Sequence, residues 1–144
     1  MNIIFICTGN SARSQMAEGF AKFYGEKYKI ADLNISSAGV NPKPVNPFAI
    51  GVMFEKNIDI SKQKSKSMDV FDLNTFDYVI TLCGDARDNC PLITSNNIKL
   101  HWDLIDPAGV IGDNDDKLKA FRAVRDEIEE RIAALLKEKY KIIK

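Results

Sequence analysis

The chain has 144 residues, of which 45% are hydrophobic and 28% charged, and this composition suits one globular domain with a buried core. Its 20 basic side chains balance its 20 acidic ones, so it lacks the positive field that holds nucleic acids and anionic membranes. No apolar run approaches the roughly 20 residues of a membrane span, and none near the start is long enough for a signal peptide. We therefore expect a cytoplasmic, single-domain protein over residues 1–144, with no nucleic-acid or membrane partner.

The chain contains three cysteines, Cys7, Cys83 and Cys90. An odd number of cysteines without an export signal argues against a static disulfide framework. We therefore expect these thiols to take part in chemistry.

Hydrophobic periodicity predicts strands and helices that alternate along the chain. The continuously apolar residues 3–6 are typical of a central parallel strand that is covered on both faces. The other predicted strands cover residues 33–37, 78–82 and 98–102, and the predicted helices cover residues 13–28, 47–56 and the region from about residue 114. This alternation favours an α/β fold with a parallel sheet and helices on both faces, whose ligand site lies beyond the carboxyl ends of the strands.

Each predicted helix has an apolar face that we interpret as core. In the first helix that face consists of Met16, Ala17, Phe20, Phe23, Tyr24 and Tyr28, and in the last helix of Leu118, Phe121, Val124, Ile128, Ile132 and Leu135. We expect Asn46 to cap the middle helix, and Asn114, Asp115 and Asp116 to supply the cap and the acidic first turn of the last. The charged residues of the last helix, with Glu127 and Arg131 paired, and the lysines of residues 62–66 are predicted to face solvent.

The segment that joins the first strand to the first helix carries the strongest chemical signal. Backbone N–H groups that converge at a helix N-terminus bind a tetrahedral oxyanion, and the same positive field stabilises a thiolate at Cys7. The planar guanidinium of Arg13 suits two parallel hydrogen bonds to such an anion. We therefore predict that Cys7 is a nucleophile, and that the anion is bound by Thr8, Gly9, Asn10, Ser11, Ala12, Arg13 and Ser14.

Three residues of this segment have predicted structural tasks. Gly9 lets the backbone turn and approach the anion, and Asn10 tolerates a left-handed conformation. Ser14 is placed to donate a hydrogen bond to the thiolate or to a departing sulfur. The competing interpretation is structural, with Cys7 as a small buried residue that ends a core strand and Arg13 as a surface residue.

These residues, followed by Gln15-Met16-Ala17-Glu18, resemble the start of the low-molecular-weight tyrosine phosphatase superfamily, and most closely its arsenate reductase branch. The resemblance covers nearly the whole chain, since further motifs of that branch follow in the same order. These are Ser37-Ala38-Gly39, Thr81-Leu82-Cys83, Asn89-Cys90-Pro91, His101-Trp102 and Asp106-Pro107-Ala108-Gly109. The resemblance implies four parallel strands in the order 2-1-3-4, which puts Cys7 and Cys83 beyond the ends of neighbouring strands.

In that branch the resemblance implies reduction of arsenate to arsenite by a relay of thiols. Cys7 attacks arsenic while Asp106, held extended by Pro107, protonates the departing oxygen. Cys83 then attacks Cys7 and Cys90 resolves the disulfide, which thioredoxin reduces from outside, so no bound cofactor is expected. If residues 84–89 were helical, about 10 Å of rise would separate Cys83 from Cys90, so that segment must rearrange before the two sulfurs bond. Phosphate and sulfate are expected as competing oxyanions.

The chain departs from the superfamily pattern at two places. Ala12 stands where many relatives carry another cysteine. Some relatives bind potassium through residues that match Asn10, Glu18 and Ser37, but Lys64 and Lys66 stand at the positions of further ligands, so we predict no metal site. His101, the only histidine, is interpreted as a partly buried residue with its hydrogen bonds satisfied.

Two other functions remain open at this point. A tyrosine phosphatase would use Cys7, Arg13 and Asp106 with water as the second nucleophile, and would leave Cys83 and Cys90 without a task. Phosphatases of this type usually carry a tyrosine soon after the Asp-Pro pair to stack on the substrate ring, whereas residues 108–110 are Ala-Gly-Val. An oxyanion or redox sensor without turnover is the third possibility.

Overall fold

The computed structural model describes residues 1–84 and 97–142. Its strands are β1 (Asn2–Cys7), β2 (Asn34–Gly39), β3 (Tyr78–Thr81) and β4 (Ile98–His101), and its α-helices are α1 (Arg13–Lys27), α2 (Pro47–Phe54) and α3 (Asn114–Tyr140). Short 3-10 helices cover Met68–Val70, Leu73–Thr75 and Pro107–Gly109. The bounds of these elements lie close to the predicted ones.

The strands form one parallel sheet in the order β2-β1-β3-β4, and the predicted α/β fold is confirmed. In the register of the sheet, Cys7 pairs with Gly39 of β2, and Ile6 pairs with Thr81 of β3. From β1 the chain goes to one side of the sheet for β2 and to the other side for β3 and β4. Such sheets bind ligands at the carboxyl end of the strand where this change of direction occurs, which here is β1.

The core surrounds β1, whose residues Ile3–Ile6 are at most 1% exposed because both faces of the sheet are covered. In α1, Met16, Ala17 and Phe20 are fully buried, as predicted from their spacing. Phe23 is an exception, since 38% of it is exposed, and its inclusion in the core was wrong. Its ring instead packs edge-on against Tyr24 at the protein surface.

Helix α3 shows three further differences from the predicted pattern. The fully buried residue of its last turns is Leu136, whereas Leu135 is only half-buried. Arg125 is buried although its helix face was predicted to be solvated, because its guanidinium donates to Val52 O at 2.9 Å and to Glu55 Oε1 at 2.7 Å. The cap is also one residue earlier than expected, since Asp113 forms a capping box with Asp116.

The predicted details of the other caps and pairs hold. Asn46 Oδ1 accepts from the N–H of Phe48 at 2.8 Å and so caps α2. Arg131 and Glu127 pair at 3.0 Å along α3. Within residues 1–84 and 97–142, no helix has the length and apolar character needed to cross a membrane.

Candidate active site

The loop between β1 and α1 turns its carbonyl groups toward the protein. Every carbonyl oxygen from Cys7 to Ala12 accepts a hydrogen bond from a protein donor. The donors, in chain order of the acceptor, are Val40 N, Asn41 N, Lys43 N with Ser65 Oγ, Gln15 Nε2, Asn46 N and Met16 N. The outer side of this anion loop, residues 7–13, is therefore fully occupied by bonds to the segments that follow β2 and to α1.

The N–H groups of the same loop have a different environment. Within the described ranges, no protein acceptor takes a hydrogen bond from the backbone N–H groups of residues 8–13. Helix α1 also has no side-chain cap at Ala12 and no acidic residue in its first turn. The loop and the helix end thus present unpaired donors and an uncompensated positive dipole, which is the arrangement that binds an oxyanion.

Asn10 holds the loop in this shape. Its φ of 46° lies in the left-handed region, as predicted. Its amide nitrogen donates to Ser14 Oγ at 2.7 Å and to Ser37 Oγ at 2.9 Å, while its Oδ1 accepts from the N–H of Lys66 at 2.8 Å. Because Asn10 is 0% exposed, these bonds are shielded from water and fix the turn from behind.

Two glycines near the loop have different importance. An added Cβ at Gly39 would lie 2.7 Å from Asn10 N and 2.9 Å from Thr8 O, so only glycine lets the end of β2 pass this close. Gly9, in contrast, has no positive φ, and an added Cβ there would meet no atom closer than 3.5 Å. The predicted turn is made by Asn10, and its close packing depends on Gly39 rather than on Gly9.

Cys7 lies at the end of β1 and is 2% exposed. Its sulfur is 2.9 Å from the hydroxyl oxygen of Ser14. Since that oxygen already accepts from the amide of Asn10, the Ser14 proton is available for the sulfur. The predicted contact between Ser14 and Cys7 is present, and it suits a thiolate better than a neutral thiol.

Arg13 and Asp106 line the same cavity as Cys7. Arg13 is 7% exposed, and its Nη1 donates to Leu104 O at 3.2 Å. Its Nη2 is 3.9 Å from Asp106 Oδ2, while the other oxygen of Asp106 accepts from the N–H of Ala108 at 3.0 Å. Asp106 is extended, with φ −78° and ψ 106°, as the following proline predicts. It therefore caps an ordinary turn with one oxygen and presents the other to Arg13.

These residues enclose a cavity of about 210 Å³. Its lining consists of Cys7, Thr8, Gly9, Ser11, Ala12, Arg13, Lys43, Asn46, Asp106 and Ala108. Asn10 and Ser14, which were predicted to bind the anion, are fully buried and are not part of that lining. Lys43 was missed because its loop is ordered by contacts with the anion loop, and Asn46 was recognised only as a helix cap.

Cys83 follows β3 and lies beside the anion loop, on the rim where the strand order placed it. Its sulfur is 3.2 Å from Thr8 Oγ1, and Thr8 is the residue next to Cys7. Cys83 is 7% exposed. Cys90 and the segment that was predicted to rearrange lie outside the described residues, apart from Gly84.

The model of the low molecular weight phosphotyrosine protein phosphatase family matches residues 2–142. The chain belongs to this family. A protein of Halalkalibacterium halodurans named arsenate reductase is 48% identical over 130 residues, which are 90% of this chain and 91% of the relative. Solved structures of an arsenate reductase in the phosphate binding state and of one in the oxidized state share 36% and 37% identity with this chain. They superpose with TM-scores of 0.75 and 0.79, and each match covers 95% of this chain and 97% of the other.

Behind the anion loop, this family member contains a buried carboxylate with two ammonium neighbours. Glu18 is 5% exposed and accepts from Ser37 Oγ at 2.5 Å. Lys22 Nζ lies 2.6 Å from one of its oxygens and Lys66 Nζ lies 4.0 Å from the other. Burial lowers the pKa of Lys66, although the nearby Glu18 carboxylate opposes that shift. Lys66 is thus half-buried, with 31% of its side chain exposed, whereas Lys62 and Lys64 are exposed as predicted.

His101 is hydrogen-bonded on only one side. Its Nδ1 lies 2.7 Å from Thr81 Oγ1, but its Nε2 is buried with no partner in the described part of the chain. The interpretation of a fully satisfied histidine was therefore half right. His101 is not among the residues that line the cavity, so it is not placed to act on a ligand there.

Proposed function

We propose that this family member reduces arsenate to arsenite, using Cys7 as the nucleophile and Cys83 as the second thiol. The contact between Cys83 and Thr8, at 3.2 Å, is the observation that carries the proposal, because it places a second sulfur beside the loop that holds the first. A phosphatase has no use for a thiol in that place. The name of the 48% identical relative points to the same activity.

Arsenate would bind with its oxygens toward the N–H groups of the anion loop. These donors lack protein acceptors among the described residues, and the guanidinium of Arg13 lines the same cavity. The arsenate reductase solved in the phosphate binding state shows that a related protein takes a tetrahedral oxyanion. Preorganised donors of this kind bind such an anion without further rearrangement of the protein.

In the first step the Cys7 thiolate forms a bond to arsenic, and one arsenic–oxygen bond breaks. Asp106 would give its proton to the departing oxygen, which leaves as water. Its Oδ2 faces the cavity 3.9 Å from Arg13 Nη2, so the acid and the anion-binding group are held on one side. The hydroxyl of Ser14, 2.9 Å from the sulfur, stabilises the thiolate before the attack.

In the second step the Cys83 thiolate attacks the sulfur of Cys7. The electron pair of the sulfur–arsenic bond passes to arsenic, which is reduced from As(V) to As(III) and leaves as arsenite. A Cys7–Cys83 disulfide remains. This step needs the two sulfurs on the same rim, which the strand order and the shared contact with Thr8 support.

The catalytic cycle would close through Cys90. Its thiolate attacks Cys83 and frees Cys7, and the resulting Cys83–Cys90 disulfide is reduced by an external dithiol of the thioredoxin class. The existence of a related arsenate reductase in an oxidized state agrees with a cycle of this type. No bound cofactor takes part in it.

Phosphotyrosine hydrolysis is the second candidate, because the chain belongs to a phosphatase family and has the cysteine, arginine and aspartate that such a reaction uses. Water would then cleave a phosphocysteine, and Cys83 would have no part. The cavity lining beside Asp106 is Ala108, which offers no aromatic face to stack on a phosphotyrosine ring. This makes the reductase the better-supported function.

Steady-state assays with thioredoxin, thioredoxin reductase and NADPH separate the possibilities. A reductase consumes one NADPH for each arsenite released, and Cys83→Ser abolishes that coupling. A phosphatase releases phosphate from a phosphotyrosine peptide without NADPH, and Cys83→Ser leaves its rate unchanged. A sensor without turnover yields neither product. Release of phosphate from the phosphotyrosine peptide, with no arsenite formed from arsenate, would overturn the proposal.

A further inference from the structure

We propose that Lys43 is a substrate-binding residue, whose ammonium supplies the second positive charge of the cavity and makes it selective for doubly charged oxyanions. The inference builds on the proposed function, since it names the charge state of the substrate that this cavity accepts. Nothing in the sequence pattern distinguishes Lys43 from the other surface lysines. Its assignment comes from its position in the structure.

The backbone of Lys43 is fixed at the edge of the anion loop. Its N–H donates to Gly9 O at 2.8 Å, and its Cβ lies 3.8 Å from the position that a Cβ on Gly9 would take. Pro42 and Pro44 flank it and restrict the backbone on both sides. The backbone and the Cβ of Lys43 are therefore held in one position.

Neighbouring hydrogen bonds attach the same segment on either side of Lys43. Asn41 N donates to Thr8 O at 2.8 Å, and Asn46 N donates to Ser11 O at 2.9 Å. The side chain of Lys43 is exposed and lines the cavity. Its four-carbon stem thus lets the ammonium meet an anion in the cavity, while the backbone keeps it from moving away from the rim.

The charges around the cavity explain why a second cation is needed. Its titratable lining residues are Cys7, Arg13, Lys43 and Asp106. With Cys7 as a thiolate and Asp106 ionised, Arg13 alone would leave the lining with a net charge of −1, which repels an incoming dianion. Lys43 makes the lining neutral, and protonation of Asp106, which the first step requires, then makes it positive.

A distinctive consequence follows from Coulomb's law. The Coulomb interaction energy between a single charge and a dianion is twice the energy between that charge and a monoanion of the same size. If removal of the Lys43 charge lowers the affinity for a monoanion by a given factor, it lowers the affinity for a dianion by about the square of that factor. A residue that only supports the loop would weaken both anions equally.

Sulfate and perchlorate test this, because both are tetrahedral and differ in charge. Their affinities are measured by how well each protects Cys7 from iodoacetamide, with peptide mapping to follow that cysteine alone. For Lys43→Ala we expect sulfate affinity to fall roughly tenfold and perchlorate affinity roughly threefold, within the range of a partly screened charge. Lys43→Arg should stay within about twofold of the wild type.

Lys27→Ala is the matched control, because Lys27 is also exposed and lies at the other end of α1, about 21 Å along the helix from Arg13. It should leave both affinities unchanged. Equal losses for the two anions in Lys43→Ala, or a sulfate affinity within about twofold of the wild type, overturns the assignment. Lys43→Met keeps an unbranched side chain of nearly the same length without the charge, and it repeats the test should the alanine variant fail to fold.

Turnover provides the second arm of the experiment. In Lys43→Ala the KM for arsenate should rise by a factor similar to that for sulfate, while kcat stays within about twofold, because Lys43 touches the substrate but not the reacting bonds. If the wild type releases no arsenite, the proposed function fails while the anion selectivity can still be demonstrated. If the wild type turns over and Lys43→Ala keeps its KM, the assignment of Lys43 fails alone.

Discussion

The sulfur of Cys83 lies 3.2 Å from the hydroxyl of Thr8, the residue that directly follows Cys7, the proposed nucleophile, in the anion loop. The loop proposed to bind the oxyanion therefore also carries the first thiol and contacts the second. Cys7 ends β1 and Cys83 follows the neighbouring parallel strand β3, so this proximity is a consequence of the strand order and not of their separation in sequence. A reaction that passes electrons between two sulfurs needs such proximity.

The order of the thiols predicts different arrests for two serine variants. Cys83→Ser should form the Cys7–arsenic adduct but release no arsenite without an added thiol, because no second sulfur can attack Cys7. Cys90→Ser should release about one equivalent of arsenite and then accumulate a Cys7–Cys83 disulfide. Mass spectrometry of peptides from the arrested proteins measures both states. Full thioredoxin-dependent turnover in either variant, or a Cys7–Cys90 disulfide in the wild type, would contradict this order.

Replacement of Arg13 by lysine tests the role of the guanidinium. Arg13→Lys keeps one positive charge but loses the planar pair of donors, and it also loses the bond to Leu104 O that orients the side chain. We expect kcat/KM for arsenate to fall roughly 10²- to 10³-fold, the loss typical of a missing oxyanion donor. Thermal unfolding of the variant checks that the fold is intact. A rate within a few-fold of the wild type would remove Arg13 from the mechanism.

Asp106 caps a turn and, in the proposed mechanism, donates a proton, and one substitution can separate these two tasks. Asp106→Asn keeps an oxygen to accept from the N–H of Ala108, but it has no proton to give to the departing oxygen. Single-turnover adduct formation should slow roughly 10²- to 10⁴-fold without a change in the melting temperature. Asp103→Asn, an exposed aspartate three residues earlier, is the matched control and should react normally. An unchanged rate in Asp106→Asn would make Asp106 a turn residue only.

The elements could be predicted because hydrophobic periodicity reports which residues are covered, and residues 3–7 of β1 and ten of the fifteen residues of α1 are buried. The strand order was instead implied by the family resemblance. Reasoning from periodicity failed at Phe23, since a 3.6-residue period cannot tell the edge of an apolar face from its centre. It failed at Arg125 because the partners that bury this guanidinium, Val52 and Glu55, lie on another helix or just beyond its end.

The site was predicted as far as it is local in sequence. Cys7 and Arg13 belong to one loop, and the placement of that loop after a strand and before a helix is enough to identify it. Lys43 and Gly39 could not be assigned in this way, because their contacts with the loop exist only once β2 pairs with β1. Long-range pairing of this kind leaves no periodic signal in the chain.

Acid should selectively weaken the contact between Glu55 and α3. A hydrogen bond from Arg122, with a further contribution from Arg125, lowers the pKa of Glu55 to about 2. Because the folded-state pKa lies below the usual value of about 4.5, Glu55 contributes stability above pH 4.5, and that contribution is lost as the pH falls toward 2. The carboxylate is 39% exposed, so the contribution is about 1 kcal/mol or less.

The variant Glu55→Gln tests this dependence. It should be slightly less stable than the wild type at pH 7. The difference should shrink between pH 4.5 and 2, because Glu55 of the unfolded chain takes up its proton in that range and the advantage of the charged carboxylate in the folded protein is lost. Urea unfolding at a series of pH values measures the two free energies of unfolding. A constant difference across that range would show that packing, and not the charge of Glu55, makes the contact.

Gly39 is where the fold and the anion loop constrain each other most tightly. In Gly39→Ala the new methyl group would lie 2.7 Å from Asn10 N and 2.9 Å from Thr8 O, and these backbone atoms cannot move without opening the loop. We expect a loss of roughly 1–3 kcal/mol in the free energy of unfolding, the usual cost of overpacking, together with a loss of sulfate affinity of more than tenfold. Gly51→Ala is the matched control, because no atom lies within 4 Å of the added Cβ in α2, and it should raise stability by about 0.5–1 kcal/mol. Iodoacetamide protection at Cys7 measures the affinity, and urea unfolding the stability. A Gly39→Ala protein that binds sulfate as the wild type does would mean that the loop tolerates displacement of its backbone, and the argument that its shape is preorganised by β2 would fail.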